Sequence, residues 1–179
     1  MVYILLAPGF EEMEALVPAD LLRRAGLDVA LVSTAGEFVP GGHNIAVKAD
    51  LALSEVSIDD MQLLMLPGGG VGVANLGNDS RVEALVRQAA ASGKQLAAIC
   101  AAPSLLSKWG LLEGRQAVCY PTWADKIADA TFLPGEKLAQ DGNIITGQAA
   151  GASFEFGLKL IEVLAGADTA ERVRKEIYL

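Results

Sequence analysis

Short apolar runs alternate with amphipathic segments along most of the chain. Residues 2–7, 28–33, 62–66 and 96–100 are apolar stretches of strand length. The segments between them repeat apolar positions every three to four residues, as in residues 79–92, which is typical of helices. Strands without alternating polar positions are buried on both faces, which requires helices on both sides of a sheet. The pattern predicts an α/β fold with a mostly parallel central sheet.

Three further segments extend this prediction. Residues 116–120 indicate another strand, followed by a helix that begins at Pro121-Thr122. Pro18 interrupts the first helical segment, so we expect a kink there or two short helices. Residues 35–50 are rich in glycine and predict a hairpin or excursion. The helix after the strand at residues 96–100 is expected to begin at Ala101.

Unusual residues cluster in the loops that follow three of these strands. The loops are Pro8–Glu14, Pro67–Gly72 and Cys100–Pro103. In open parallel sheets, ligands bind at the carboxyl ends of the strands. We therefore expect these loops to meet at a functional crevice.

Composition narrows the class of protein. The chain has 179 residues and is 52% hydrophobic, which predicts a single globular domain over residues 1–179. Its formal net charge of −8 argues against specific nucleic-acid binding. The single histidine excludes a His-rich metal site. The longest uncharged stretch, residues 61–78, contains Pro67 and three successive glycines, so we expect no membrane span. Two cysteines indicate a reducing, cytoplasmic location.

Cys100 ends an apolar strand where a helix is expected to start. A nucleophile on such a turn points out of the sheet, beside free backbone N–H groups that can hold an oxyanion. A helix start also favours a thiolate, so we expect the pKa of this thiol to lie below its usual value near 8.5. The alternative is an inert buried cysteine, since free cysteine is among the most buried residue types. The glycines at 68–70 similarly indicate either an anion-binding turn or a plain tight turn.

Other residues divide between structural and functional interpretations. Glu11, Glu12 and Glu14 are typical of a solvated first turn, although one of them could point into the crevice and share a proton with the thiol. Cys119 is interpreted as structural, with a resolving partner for Cys100 as the minority alternative. Both tryptophans, Trp109 and Trp123, are interpreted as core or helix-packing residues rather than as a stacking platform.

Five segments together resemble the ThiJ/PfpI family of the class I glutamine amidotransferase-like superfamily, close to its parkinsonism-associated deglycase branch. They are PGFEEMEA at 8–15, LPGGGVGVANL at 66–76, AAICAAPSLL at 97–106, YPTWADKI at 120–127 and GASFEFGLKLIEVL at 151–164. The resemblance implies a flavodoxin-like three-layer sandwich that forms a homodimer without cofactors. It also implies a nucleophile elbow at Cys100 and a protonated Glu14 that is hydrogen-bonded to the Cys100 sulfur. The oxyanion and substrate pocket that it implies is formed by Gly68, Gly69, Ala101 and Tyr120.

The sequence departs from the family pattern at Tyr120, where many members carry a histidine. Proton transfer is therefore expected to depend on Glu14. The implied function is a stress-response enzyme of glyoxalase or deglycase type. It would convert small α-oxoaldehydes such as methylglyoxal and glyoxal, or their early adducts on proteins and nucleotides, into hydroxy acids. Two alternatives stay open: a redox sensor or redox-regulated chaperone in which Cys100 is oxidised to a sulfenic or sulfinic acid, and, less strongly, a cysteine peptidase.

Overall fold

The computed structural model describes all 179 residues, from Met1 to Leu179. The strands are β1 (Val2–Leu6), β2 (Val29–Ser33), β3 (Phe38–Pro40), β4 (Ala46–Lys48), β5 (Leu51–Ala52), β6 (Leu63–Leu66), β7 (Gln95–Ile99), β8 (Gln116–Ala117), β9 (Thr131–Phe132), β10 (Leu138–Asp141) and β11 (Ile144–Gly147). The helices are α1 (Glu12–Arg24), α2 (Gly70–Asn78), α3 (Ser80–Ala91), α4 (Pro103–Lys108), α5 (Ser153–Ala165) and α6 (Ala167–Glu176).

Seven strands form the central sheet in the order β10-β11-β7-β6-β1-β2-β5. Every neighbouring pair is parallel except β10 with β11, which forms an antiparallel edge. The strands β1, β6 and β7 are buried almost throughout, as expected for strands covered on both faces. The predicted α/β fold with a mostly parallel sheet is confirmed.

Helices cover the sheet on both faces and complete a three-layer sandwich. Buried side chains of α1, α5 and α6 form one core with one face of the sheet. Buried side chains of α2, α3 and α4 form a second core with the other face. Cys100 packs against both cores because it lies at the carboxyl end of β7, where the two layers meet.

The first helix is continuous despite its internal proline. Of the two outcomes expected at Pro18, the pair of short helices is wrong, because α1 runs unbroken from Glu12 to Arg24. A close helix–helix contact accounts for this: a Cβ added to Gly157 of α5 would lie 3.1 Å from the Pro18 Cα. Packing against α5 thus holds the segment helical where the proline removes one backbone hydrogen bond.

Two segments differ from the sequence-based expectations. The strand expected at residues 116–120 shrinks to β8, which pairs with β9 outside the central sheet. The reason lies in the backbone partners: Val118 N–H donates to Thr146 Oγ1 at 2.9 Å, and Tyr120 N–H donates to the carbonyl of Cys100 at 2.8 Å. The glycine-rich residues 70–78, to which the sequence pattern assigned no element, form α2 because burial of Val73 and Leu76 outweighs weak helix propensity.

The glycine-rich excursion after β2 forms an antiparallel hairpin of β3 and β4, as expected. None of the helices combines the length and the apolar character needed to cross a membrane.

Candidate active site

The candidate site is built around Cys100, which occupies a sharp turn after β7. Its backbone has φ +65°, a left-handed conformation that non-glycine residues rarely adopt. The turn is fixed on both sides, since Cys100 N–H donates to the Gly147 carbonyl at 2.9 Å and Cys100 C=O accepts from Tyr120 N–H at 2.8 Å. Such a strained turn at the end of a central strand is the geometry of a nucleophile elbow.

The carboxyl group of Glu14 lies beside this turn. Glu14 projects from the first turn of α1 and is completely buried. Its Oε2 accepts a hydrogen bond from the backbone N–H of Gly68 at 2.8 Å, while its Oε1 is buried without a hydrogen-bond partner. The Cys100 thiol lies close enough to interact with the same carboxyl. The structure therefore brings together the two residues expected to be catalytic.

Gly68 separates the two groups and leaves room for both. A Cβ added at this position would lie 2.4 Å from Glu14 Oε2 and 2.7 Å from the Cys100 Cβ. Both distances are shorter than real contacts, so any side chain here would push the carboxyl and the thiol apart. The N–H of Gly68 is already donated to Glu14, and this glycine positions the acid rather than an oxyanion.

Burial raises the pKa of Glu14 and that of Cys100. Desolvation raises the pKa of the Glu14 carboxyl from 4.5 to about 7. Desolvation and the negative charge of Glu14 raise the pKa of the Cys100 thiol to about 12. Adjacent acids of this kind lose their protons in two steps that belong to the pair. Between the two steps, the pair holds one proton and one negative charge.

Burial and Glu14 thus act against the lowering of the thiol pKa that the turn alone led us to expect. That expectation assumed a helix beginning at Ala101, but α4 begins at Pro103 and has only six residues. Burial and Glu14 outweigh the backbone N–H groups of Gly69 and Ala101, which do lower the pKa of this thiol. A thiolate at neutral pH thus requires that the single proton of the pair move to Glu14.

Gly69 and Ala101 present their N–H groups to the Cys100 sulfur from two different loops. Gly69 has φ +88° and precedes α2, and a Cβ there would lie 2.5 Å from the carbonyl oxygen of Gly9. Only glycine fits this close approach. The two N–H donors are placed where a developing negative charge on sulfur or on an added oxygen would need them.

A pocket of about 220 Å³ opens over the thiol. Its lining residues are Glu11, Gly69, Gly70, Cys100, Ala101, Tyr120 and Trp123. Hollows of about 370 to 450 Å³ lie elsewhere on the surface, but none contains a cysteine. We assign the site to the smaller pocket because it holds the nucleophile.

The two tryptophans differ in their surroundings. Trp109 is buried in the core, as expected. Trp123 packs against the core, in line with that interpretation, and it also lines the pocket beside Tyr120, which the sequence did not indicate. It belongs to the 3₁₀ helix Pro121–Ile127, which directly follows Tyr120 where a helix was expected.

Glu12 and His43 form a polar cluster next to Glu11. The expectation of a solvated first turn is wrong for Glu12, which is buried and accepts hydrogen bonds from His43 N–H at 2.7 Å and from His43 Nδ1 at 2.9 Å. The Glu11 Oε2 lies 3.6 Å from the same Nδ1. Hydrogen bonding to Glu12 raises the pKa of His43 and the His43 bonds lower that of Glu12. These three side chains are the ones that could hold a metal ion, since their ligand atoms lie within 4.8 Å of one another.

Sequence reasoning did not place Glu11, Gly70 and Trp123 in the pocket. Gly70 was visible as part of the glycine run, and Glu11 as part of the glutamate run, but neither pattern indicates which members face the thiol. Cys119 is buried in the core beneath Tyr120, in agreement with its structural interpretation, and both cysteines are free.

The fold and the site together define a class: a three-layer α/β protein with a cysteine elbow and a buried glutamate. The sequence profile of the DJ-1/PfpI family matches residues 1–163. The chain belongs to this family, whose structures are flavodoxin-like. The resemblance inferred from the five sequence segments is confirmed.

Individual relatives cover almost the whole chain. Protein dj-1beta of Drosophila melanogaster is 36% identical over 98% of this chain and 95% of its own length. The glutathione-independent glyoxalase DJR-1.2 of Caenorhabditis elegans is 31% identical over 98% of this chain and 95% of its own. The crystal structure of Drosophila DJ-1beta superposes with a TM-score of 0.95 at 35% identity, covering 99% of this chain and 97% of that one. The oxidized DJ-1 of Toxoplasma gondii superposes with a TM-score of 0.92 at 33% identity, covering 99% and 97%.

Proposed function

We propose that the protein is a cysteine-dependent enzyme of glyoxalase or deglycase type. Its substrates would be small α-oxoaldehydes such as methylglyoxal and glyoxal, or their early adducts on proteins and nucleotides. The observation that carries the proposal is the buried Glu14 carboxyl beside the Cys100 thiol, with a pKa near the pH of the cell. A relative named as a glutathione-independent glyoxalase supports the same chemistry.

The reaction begins with proton transfer within the pair. The proton of Cys100 moves to Glu14, and the thiolate adds to the aldehyde carbon to give a hemithioacetal whose alkoxide takes up a proton. The N–H groups of Gly69 and Ala101 stabilise the developing charge. These steps require only side chains, backbone groups and water.

Glu14 then carries a proton between the two carbons of the substrate. As a carboxylate it removes the hydrogen on the former aldehyde carbon, forming an enediol, and as an acid it returns a proton to the neighbouring carbon. The first carbon is thereby oxidised to a thioester and the second is reduced to an alcohol, so no external oxidant is needed. Water hydrolyses the thioester, releases the hydroxy acid and restores the thiol.

The decisive experiment compares the wild type with Cys100→Ser in the presence of methylglyoxal. Both aldehyde loss and lactate formation are followed, because any reactive thiol scavenges aldehyde stoichiometrically without making lactate. We expect many equivalents of lactate per wild-type active site and none from Cys100→Ser. Aldehyde loss that stops at one equivalent per thiol would overturn the proposal.

A redox role is the second candidate, and a specific observation favours it. The N–H groups of Gly69 and Ala101 with the Glu14 carboxyl surround the Cys100 sulfur, and such donors would stabilise a sulfenic or sulfinic acid there. The protein would then act as a redox sensor or redox-regulated chaperone. Peroxide titration with mass spectrometry tests this: a sensor adds oxygen to Cys100 at low peroxide and makes no lactate from methylglyoxal.

We also propose that the protein forms a homodimer. Three large apolar side chains, Met13, Ile45 and Phe154, are exposed on α1, the hairpin and α5, and α1 packs closely on α5. Covering such side chains is a common reason for association. Light scattering after gel filtration should give twice the chain mass of 18.7 kDa, whereas a monomer at micromolar concentration would contradict the proposal.

The two free cysteines fit a reducing compartment, and we propose a cytoplasmic location on this ground. Fractionation of cells followed by immunoblotting checks it.

A further inference from the structure

The pocket over Cys100 has a wall of two aromatic rings that the proposed chemistry does not use. Tyr120 and Trp123 both line the pocket, and both are tied to the nucleophile through the backbone. Tyr120 N–H donates to the Cys100 carbonyl at 2.8 Å, and Trp123 N–H donates to the Tyr120 carbonyl at 2.8 Å. The backbone that carries both rings is therefore tied to the turn of the thiol.

The pocket is also larger than the reaction requires. At about 220 Å³, it exceeds what glyoxal or the three-carbon methylglyoxal would fill once its aldehyde carbon has joined the sulfur. The remaining volume is bounded by the other lining residues, which include Tyr120 and Trp123. A methyl group would leave most of the exposed surface of Tyr120 and Trp123 in water, whereas a larger apolar group would cover it.

Charge restricts the kind of group that fits. Glu11 is the one charged residue in the lining, and no lysine or arginine accompanies it. Its basic neighbour His43 lies outside the lining and is hydrogen-bonded to Glu12 at 2.9 Å, so a phosphate or carboxylate on the substrate would meet a negative charge with no lysine or arginine in the pocket. An uncharged apolar group would instead contact the aromatic side chains, and an aromatic group would gain from ring–ring contacts beyond the effect of area burial.

We propose that the site prefers α-oxoaldehydes with an aromatic acyl substituent over methylglyoxal and glyoxal, and that Tyr120 and Trp123 determine this specificity. The inference rests on the proposed function. The reacting carbons undergo the same steps with every substrate, so phenylglyoxal would give mandelate as methylglyoxal gives lactate. The preference lies in binding of the substituent.

The test measures kcat/KM for phenylglyoxal and methylglyoxal by formation of the hydroxy acids. We expect the wild type to prefer phenylglyoxal by about tenfold or more, in line with the discrimination that apolar pockets achieve. Trp123→Leu should abolish this preference by raising KM for phenylglyoxal more than KM for methylglyoxal. Trp123→Phe should restore much of it, because a ring returns to the wall. Tyr120→Ala should reduce the preference, and Tyr178→Ala, which removes a tyrosine that is 98% exposed, should leave both substrates unaffected.

The outcomes separate this inference from the function on which it rests. No hydroxy acid from either substrate would overturn the proposed function. Turnover of methylglyoxal with equal or lower kcat/KM for phenylglyoxal would leave that function intact and overturn the inference. A preference that survives in both Trp123→Leu and Tyr120→Ala would overturn the assignment of specificity to these rings. Circular dichroism and thermal unfolding of each variant confirm that it is folded.

Discussion

Replacing Glu14 by glutamine should change how the stability of the protein depends on pH. Burial raises the pKa of this carboxyl from 4.5 to about 7 in the folded protein. Between these two pH values the folded chain keeps a proton that the unfolded chain has released. Stability falls with rising pH wherever the folded state binds more protons. The contribution of Glu14 is therefore fully present below pH 4.5 and is lost as pH rises through about 7.

The size of this effect follows from the two pKa values. Each pH unit between them changes the free energy of unfolding by about 1.4 kcal/mol, so the loss is about 3 kcal/mol in all. Glutamine carries no ionisable proton and cannot show this loss. The difference in unfolding free energy between wild type and Glu14→Gln should therefore fall by about 3 kcal/mol from pH 4 to pH 8. Other titrating groups contribute to both proteins and cancel in the difference.

Urea unfolding at a series of pH values and one protein concentration measures the difference directly. Glu155→Gln serves as the matched control, because a hydrogen bond from Lys137 lowers the pKa of Glu155. The difference in unfolding free energy between wild type and Glu155→Gln should therefore rise with pH, opposite to the change expected for Glu14→Gln. A difference between wild type and Glu14→Gln that stays constant with pH would refute the reasoning. It would mean that the buried carboxyl ionises in the folded protein as readily as in the unfolded chain.

Three further predictions concern the turn itself. The rate of Cys100 alkylation by iodoacetamide should rise with pH through an apparent pKa near 7, which is the first proton loss of the pair. Glu14→Gln should remove this rise, and Cys119 should stay largely unlabelled. A wild-type rate profile without the rise would contradict the shared proton. Gly68→Ala should lower kcat/KM by about 100-fold while the protein stays folded, since small displacements of reacting groups have effects of this size. A Gly68→Ala variant with the kcat/KM of the wild type would show that the gap between the thiol and the acid is not needed. Cys100→Gly should be more stable than Cys100→Ala by about 1 kcal/mol, because only glycine adopts φ +65° without strain. If thermal unfolding shows the alanine variant to be the more stable one, the elbow is not strained.

The sequence was sufficient to predict the layers and the pair of residues at the centre of the site. Apolar strands and amphipathic helices repeat at lengths that only a covered parallel sheet accommodates, so the sheet and its two helical layers follow from local pattern. Cys100 could be predicted because it stands directly after a central strand. The glutamates that follow β1 could be placed at the same edge, but only the family resemblance singled out Glu14 among them. Residues that follow parallel strands are brought to one edge whatever the details of packing.

Tertiary contacts decided the features that were missed. Pro18 is compatible with a continuous α1 because Gly157 allows α5 to approach closely, and nothing local to the proline reveals this. Glu12 is buried because a hairpin distant in sequence brings His43 over it. Residues 118–120 do not form the expected strand, because N–H groups of this segment donate hydrogen bonds to Thr146 and Cys100 instead. In each case a contact between distant segments overrides the local pattern.

The pKa of the thiol shows why reactivity is harder to predict than position. A cysteine after a strand looks activated if only the turn and the following helix are considered. In the folded protein, burial opposes ionisation of the thiol and of Glu14 alike, so neither is a strong acid alone. Burial nevertheless permits one negative charge for the two groups, because a single proton can move between sulfur and oxygen without leaving the site. The pair, rather than the cysteine, is therefore the acid that titrates near neutral pH, and the same mobile proton that exposes the thiolate is the one that Glu14 has available for the substrate.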